Sequence, residues 1–169
     1  QTLSHYNCDY FGVAVADEGV ELRKAGIKTP VIIMNPELNT FDLLIKYRLE
    51  PEIYSFKILK SFAQYTEKEG ISNFPIHLKI DTGMHRLGFE AKEIDELIEF
   101  LSKNKSLKVE SAFSHLVASE DATEDEFTLK QIKTFQEITD KLQNRLNIKF
   151  LRHILNTSGI QRFPEYQMD

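Results

Sequence analysis

Residues 79–89, KIDTGMHRLGF, place a lysine inside a strand-like run, turn on a Thr-Gly pair and then present an arginine. Period-two counting through 76–81 puts His77, Lys79 and Asp81 on one face of an extended segment and Ile76, Leu78 and Ile80 on the other. Helices would cover the aliphatic face, so the polar set points to the interior. There an unpaired ammonium is costly and must be neutralised, paired or chemically changed. An ion pair from Lys79 to Asp81 is the plain solution. Arg86 lies beyond the turn made by Thr82, Gly83 and Met84, which puts it at a mouth and not inside. Its planar fork can donate two parallel hydrogen bonds to a carboxylate or oxyanion, although a surface ion pair would also account for it. Gly83 and Gly88 fit positions that need positive φ or a close backbone approach.

Two more groups carry candidate chemistry. His115 ends a strand-like run just before the polar loop VASEDATED, a position open to a structural or a functional histidine. His153 stands three residues before Asn156, and NTSG (156–159) follows at the end of the last apolar run. Hydroxyls and free backbone N–H groups on Asn156, Thr157, Ser158 and Gly159 could cradle a phosphate, or simply form a turn. His5 and His77 suggest no role, and aromatic residues such as Phe113 and Phe135 read as core.

The elements that must position these groups alternate in type. Segments 10–16, 31–34, 52–55, 76–81, 109–115 and 149–156 read as six strands. Segment 17–26 reads as a helix capped by Asp17 and stopped by Gly26; 91–104 puts Ile94, Leu97, Ile98 and Leu101 on one stripe; the helix from 123 opens on a Thr123-x-x-Glu126 capping box. Alternation without hairpin signals means a parallel sheet covered by helices. Asp17, Asn35, Asp81, His115 and Asn156 fall where different strands end, which favours a barrel whose strand ends share one mouth. The expected fold is therefore α/β, a partial (β/α)8 barrel of about six βα units.

At 169 residues, 41% apolar and 28% charged, the chain can bury one sizeable core. Its net charge of −5 is mild and its basic residues are scattered, so neither nucleic acid nor an anionic membrane is an expected partner. One cysteine excludes an internal disulfide or a thiolate metal cluster, no metal site is expected, and no signal peptide is visible; a cytoplasmic protein follows as the expectation. Gln1 and the terminal YQMD suggest that the segment is cut at both ends.

KIDTGMHRLGF closely resembles the K-x-D-T-G-M-x-R-x-G signature of alanine racemases, fold type III enzymes that use pyridoxal 5'-phosphate. DYFGVAVADEGVELRKAGI, SHLVASED and HILNTSGIQRFPE are similar to other segments of that family, in its order, and MNPE has the flavour of the form fused behind a cell-wall peptide ligase. The resemblance implies that residues 1–169 are part of the N-terminal barrel domain, with the C-terminal β domain absent. It implies racemisation of L- and D-alanine for peptidoglycan synthesis, by an enzyme that is a homodimer when intact.

Carried over by position, Arg86 would bond the cofactor's phenolic oxygen and help orient the substrate carboxylate. Lys79 matches a lysine that many members carry as a carbamate, an anion that could pair with Arg86. His115 would support the second catalytic residue, and His153 would orient an arginine near the pyridine nitrogen. Thr157 stands where the family usually has a phosphate-binding serine, beside the cofactor-site Asn156. The lysine that carries the cofactor would lie upstream of Gln1, and the opposite-face tyrosine in the missing domain, so the segment alone is expected to be inactive. The alternative is a non-enzymatic carrier of pyridoxal phosphate with the same barrel fold.

Overall fold

A computed structural model describes residues 8–169. His5 lies outside the described residues. Six strands, β1 (Phe11–Val13), β2 (Val31–Ile33), β3 (Glu50–Ile53), β4 (Phe74–Lys79), β5 (Leu107–Phe113) and β6 (Leu151–His153), form one sheet in sequence order. Every neighbouring pair is parallel. Helices α1 (Ala16–Lys24), α2 (Phe41–Tyr47), α3 (Phe56–Lys68), α4 (Ile94–Lys103), α5 (Asp125–Leu146) and α6 (Thr157–Arg162) follow the strands in turn. The result is the expected partial barrel, with each observed strand within a few residues of its expected span.

The two faces of the sheet differ in kind. Val31, Ile33, Ile53, Ile76, Leu78, Ile80, Val109 and Ala112 face the helices and join Leu44, Leu59, Phe62, Leu97, Phe135 and Leu142 in a single buried core. Facing inward are the alternate residues, and parallel register lines them up across strands: Ile32 beside Glu50; Glu52 beside His77, Ser111 and Leu151; Lys79 beside Phe113 and His153. The alternation through 76–81 is thus as expected, polar inward and aliphatic outward. Between β4 and β5 the register shifts by a residue at Ile76/His77, so the polar rows re-align above an irregular base.

Helix ends depart from the expected caps for local reasons. In α1 the N-cap position is Val15; Glu18 reaches back to accept from the Ala14 and Val15 amides at 2.7 and 3.4 Å, leaving Asp17 to the first turn. The Thr123-x-x-Glu126 box does not form. Asp121 accepts instead from both the amide and the hydroxyl of Thr123, at 2.9 and 2.7 Å, which winds 122–124 into a 3₁₀ turn and delays α5 to Asp125. α3 is capped in the ordinary way, by the Ser55 hydroxyl accepting from the Ile58 amide. Its stripe of Ile58, Leu59, Phe62, Ala63 and Thr66 is buried.

Phe62 is fully buried and meets Phe41 and Phe74 edge-to-face, with centroids 4.9 and 5.4 Å apart. Substituting it by alanine removes two aromatic contacts and leaves a cavity under β4. Phe62→Ala is expected to lower unfolding free energy by about 3–5 kcal/mol, measured by urea denaturation.

Candidate functional site

The segment after β4 is held by backbone and glycine geometry. Asp81 accepts from the amides of Gly83 and His85 at 2.8 and 3.1 Å, and its second oxygen lies 3.5 Å from the His85 ring. Gly83 has φ +133° and His85 φ +55°, which turns the chain back on itself. Phe89 then donates to the Lys79 carbonyl at 2.9 Å, the Asp81 amide donates to Phe89, and the Gly88 amide donates to Tyr54 after β3 at 3.2 Å. At Gly88, φ +124°, a Cβ would lie 2.6 Å from the Asp81 nitrogen, so only glycine fits the crossing. Arg86 therefore sits on a short loop tied to the ends of both β3 and β4, exposed at the rim.

Lys79 is buried at 8% exposure, and its ammonium sits over the Phe113 ring, 4.2 Å from the centroid. The expected bridge to Asp81 does not form, because that carboxylate is already committed to the turn. On the other side of Phe113 the His153 ring stacks in parallel, centroids 4.9 Å apart and planes 4° from one another. One aromatic ring thus joins the lysine to the histidine. Phe113, which the sequence suggested was core, is buried but faces inward.

Two acidic residues of β3 complete this inner face, and neither stood out among the candidates. Glu50 accepts from or shares a proton with His77 Nε2 at 2.8 Å, while the other ring nitrogen, Nδ1, is 2.7 Å from the Ser111 hydroxyl. His77 is fully buried, so it is a satisfied lumen residue with defined partners. Glu52, 2% exposed, lies in register with His77 and makes no ion pair with Lys79 within 4 Å. The signal for both was the alternation Glu50, Glu52, Tyr54 against Pro51, Ile53, the pattern that marked Lys79 on the next strand.

Charge at the rim is coupled. Burial pushes the Glu52 carboxyl up to about 7, against the opposing pull of Lys79 and then Arg86. Lys79 is lowered by burial and by Arg86, with Glu52 acting the other way. His115, half-buried after β5, is lowered by burial and by the same two cations. Loss of hydration lowers the His153 imidazole to about 4, with His77 and Lys79 adding and Asp169 acting the other way. Arg86 acts on Glu52, Lys79 and His115 alike, so these groups share one electrostatic environment.

The third component is the start of α6. Asn156 is its N-cap, its Oδ1 accepting from the Gly159 amide at 2.9 Å and from the Ser119 hydroxyl at 2.6 Å. Gly159 is packed as well as capped: a Cβ there would meet Leu116 at 3.0 Å. Asn156 and Gly159 thus shape the turn, while the amides and hydroxyls of Thr157 and Ser158 make no hydrogen bond to another described residue. Such a set of neutral donors at a helix start suits a phosphate, so the residues present fit the phosphate end of pyridoxal 5'-phosphate. Arg162 closes the arrangement, donating to the Ser119 carbonyl at 2.7 Å and to both oxygens of Asp125. From α5, buried Gln131 bonds Thr82, the His115 carbonyl and the Val117 amide, stitching the loops after β4 and β5 together. Below the rim, a cavity of about 650 Å³ opens along the inner face, its lining including Asp9, Tyr10, His77, Ser111, His153 and Asp169.

Parallel strands curled into most of a barrel, with polar groups gathered beyond the C-terminal ends of β4, β5 and β6, define an α/β barrel protein of the kind that binds its ligands at that rim. The chain belongs to the family described as "Alanine racemase, N-terminal domain", which matches residues 1–169. It is 36% identical to alanine racemase 1 of Clostridium acetobutylicum over 157 residues, 90% of this chain and 40% of that protein. It is 34% identical over 152 residues to the alanine racemase of Thermodesulfovibrio yellowstonii, again 90% and 40%. Among solved structures, the alanine racemase of Clostridium difficile superposes with a TM-score of 0.89 at 27% identity, over 99% of this chain and 46% of that one. The chain spans about 40% of the length of the curated relatives it matches. Among the described residues, no helix is long and apolar enough to cross a membrane.

Two outcomes test this geometry. Gly88→Ala forces a Cβ into the Asp81 backbone and is expected to cost at least about 2 kcal/mol in urea unfolding. Glu52 titrates in the folded protein above its ordinary range, so it favours folding fully below pH 4.5, and that contribution fades as pH rises through about 7. Glu52→Gln should therefore lose less stability than the native protein between pH 5 and 8, measured by denaturation at each pH.

Proposed function

We propose that this chain forms the cofactor-binding barrel portion of a pyridoxal-phosphate-dependent alanine racemase, supplying D-alanine for peptidoglycan synthesis in the cytoplasm. The observation that carries the reading is the convergence of Arg86, Lys79, His115, the Phe113–His153 stack and the Thr157–Ser158 turn on one rim, in a chain of this family. In this reading Thr157 and Ser158 hold the phosphate with hydroxyl and amide donors, in a turn held by Asn156 and Gly159. Arg86 donates to the phenolic oxygen and orients the substrate carboxylate. Bound there, the cofactor would take up the electron pair left when the α-proton is removed. His153, held flat by Phe113 and kept neutral by its lowered pKa, can accept or donate one hydrogen bond without adding positive charge. His115 is likewise kept neutral beside two cations, ready to support a neighbouring acid–base group.

Racemisation removes a proton on one face of the α-carbon and returns one on the other, so it needs two acid–base groups. Neither role falls to a residue assigned above, and the reading places both in other parts of a dimeric enzyme. Residues 1–169 alone are accordingly expected to be inactive. The test uses the whole protein that contains this chain: it should bind pyridoxal phosphate with a shift in visible absorbance and interconvert L- and D-alanine. Arg86→Ala should lower kcat/KM at least about 100-fold, as loss of an interaction made to the reacting group, and Thr157→Val should weaken cofactor affinity about tenfold. A whole protein that binds the cofactor but exchanges no alanine would overturn the reading.

A further inference from the structure

Strand β5 changes phase along its length. Val109 and Ala112 both belong to the helix-facing core, although an odd number of steps separates them, whereas Ser111 and Phe113 face inward. Register shows where the change occurs: Ile76 pairs with Val109 but His77 pairs with Ser111, which leaves Glu110 over. Strict alternation from Val109 would turn Ser111 and Phe113 toward the helices, because a slip of one residue exchanges the two faces of a strand. The inner face supplies a bond that holds the shifted register. Nε2 of His77 is 2.8 Å from Glu50 of β3, and Tyr10 meets the ring edge-to-face with centroids 5.5 Å apart, so the imidazole is fixed from two sides. Its Nδ1 lies 2.7 Å from the hydroxyl of Ser111, a residue 2% exposed. With Nε2–H donated to the Glu50 carboxylate, Nδ1 is an acceptor and the hydroxyl donates to it. Turned toward the helices, that hydroxyl would be buried among aliphatic side chains without a partner. The same phase sets Phe113 against His153, planes 4° from one another and centroids 4.9 Å apart. The ring of His153 makes no hydrogen bond to another described residue, so the stack sets its plane.

We propose that His77 is a positioning residue for His153, acting through Ser111: its hydrogen bond locks β5 in the shifted register that turns Phe113 inward and sets the plane of the His153 ring. The inference rests on the reading of this rim as a cofactor site, and adds the buried group that fixes one of its side chains. His77 itself lies below the rim, and its effect reaches His153 through β5.

The test separates the two ring nitrogens, in the whole protein that contains this chain. His77→Asn puts an amide oxygen near the Nδ1 position and keeps a partner for Ser111, whereas His77→Gln reaches Glu50 and leaves Ser111 unpaired. Ser111→Ala removes the hydroxyl itself. The ring current of Phe113 shifts the carbon-bound ring protons of His153 in the NMR spectrum; their signal is assigned by its loss in His153→Gln and given its unstacked value by Phe113→Leu. Ser111→Ala and His77→Gln should move the signal most of the way to the unstacked value, and His77→Asn should leave it near the native one. The first two variants should also lower kcat/KM about tenfold, as a displaced group beside the chemistry does. A native signal in both Ser111→Ala and His77→Gln overturns the proposal. Equal displacement in His77→Asn and His77→Gln overturns it too, because His77 would then fill space without locking the register. Should Ser111→Ala fail to fold, the two His77 variants decide between these outcomes. The NMR readout needs no pyridoxal phosphate. A stack lost with Ser111 in a protein that exchanges no alanine refutes only the function proposed above, whereas an active racemase whose stack ignores Ser111 refutes only this inference.

Discussion

A cation taken out of water between parallel strands is the constraint around which this rim is built. Lys79 occupies a position that alternation turns inward, and desolvation of its ammonium is unfavourable unless the surroundings answer it. Phe113 answers with the negative face of its ring. Placement of the other groups follows. His153 stacks on the far side of the same ring, so the direction of β6 is set by an aromatic contact as well as by its backbone ladder to β5. Asp81, freed from pairing with the lysine, caps the turn that presents Arg86.

Much of this was legible in the residues. The six strands, their parallel order and the inward set at His77 and Lys79 follow from period-two alternation interrupted by helical stripes. Gly83 and Gly88 identified the turn because few other residues tolerate that backbone. What escaped notice shares a physical cause: partners supplied by neighbouring strands. Lys79 and Asp81 are two apart on one strand and invite pairing when read linearly. Register instead brings Lys79 beside Phe113, and the local turn claims Asp81 through two amides. His77 looked idle because Glu50 and Ser111, which satisfy both of its ring nitrogens, are 27 and 34 residues away. Helix starts differ from the expected ones by a residue or two for the opposite reason, since Glu18 and Asp121 compete locally with the expected caps.

Within the NTSG segment the division of labour was hidden as well. All four residues could serve a phosphate, yet two of them are occupied in building the turn. Asn156 gives its oxygen to Gly159 and Ser119, and Gly159 is wedged against Leu116. The donors left facing outward are those of Thr157 and Ser158. Thr157 carries its hydroxyl at an exposed position.

The fastening of Ser119 has a bearing on how this rim can diversify. That one residue gives its hydroxyl to Asn156 and its carbonyl to Arg162, while Arg162 also grips Asp125 at the head of the longest helix. Insertions and deletions in the stretch from 116 to 124 would have to preserve the meeting of three separate chain segments. Lineages of this barrel should therefore vary more freely in loops that lack such a knot, such as the one between β2 and α2, than in this one.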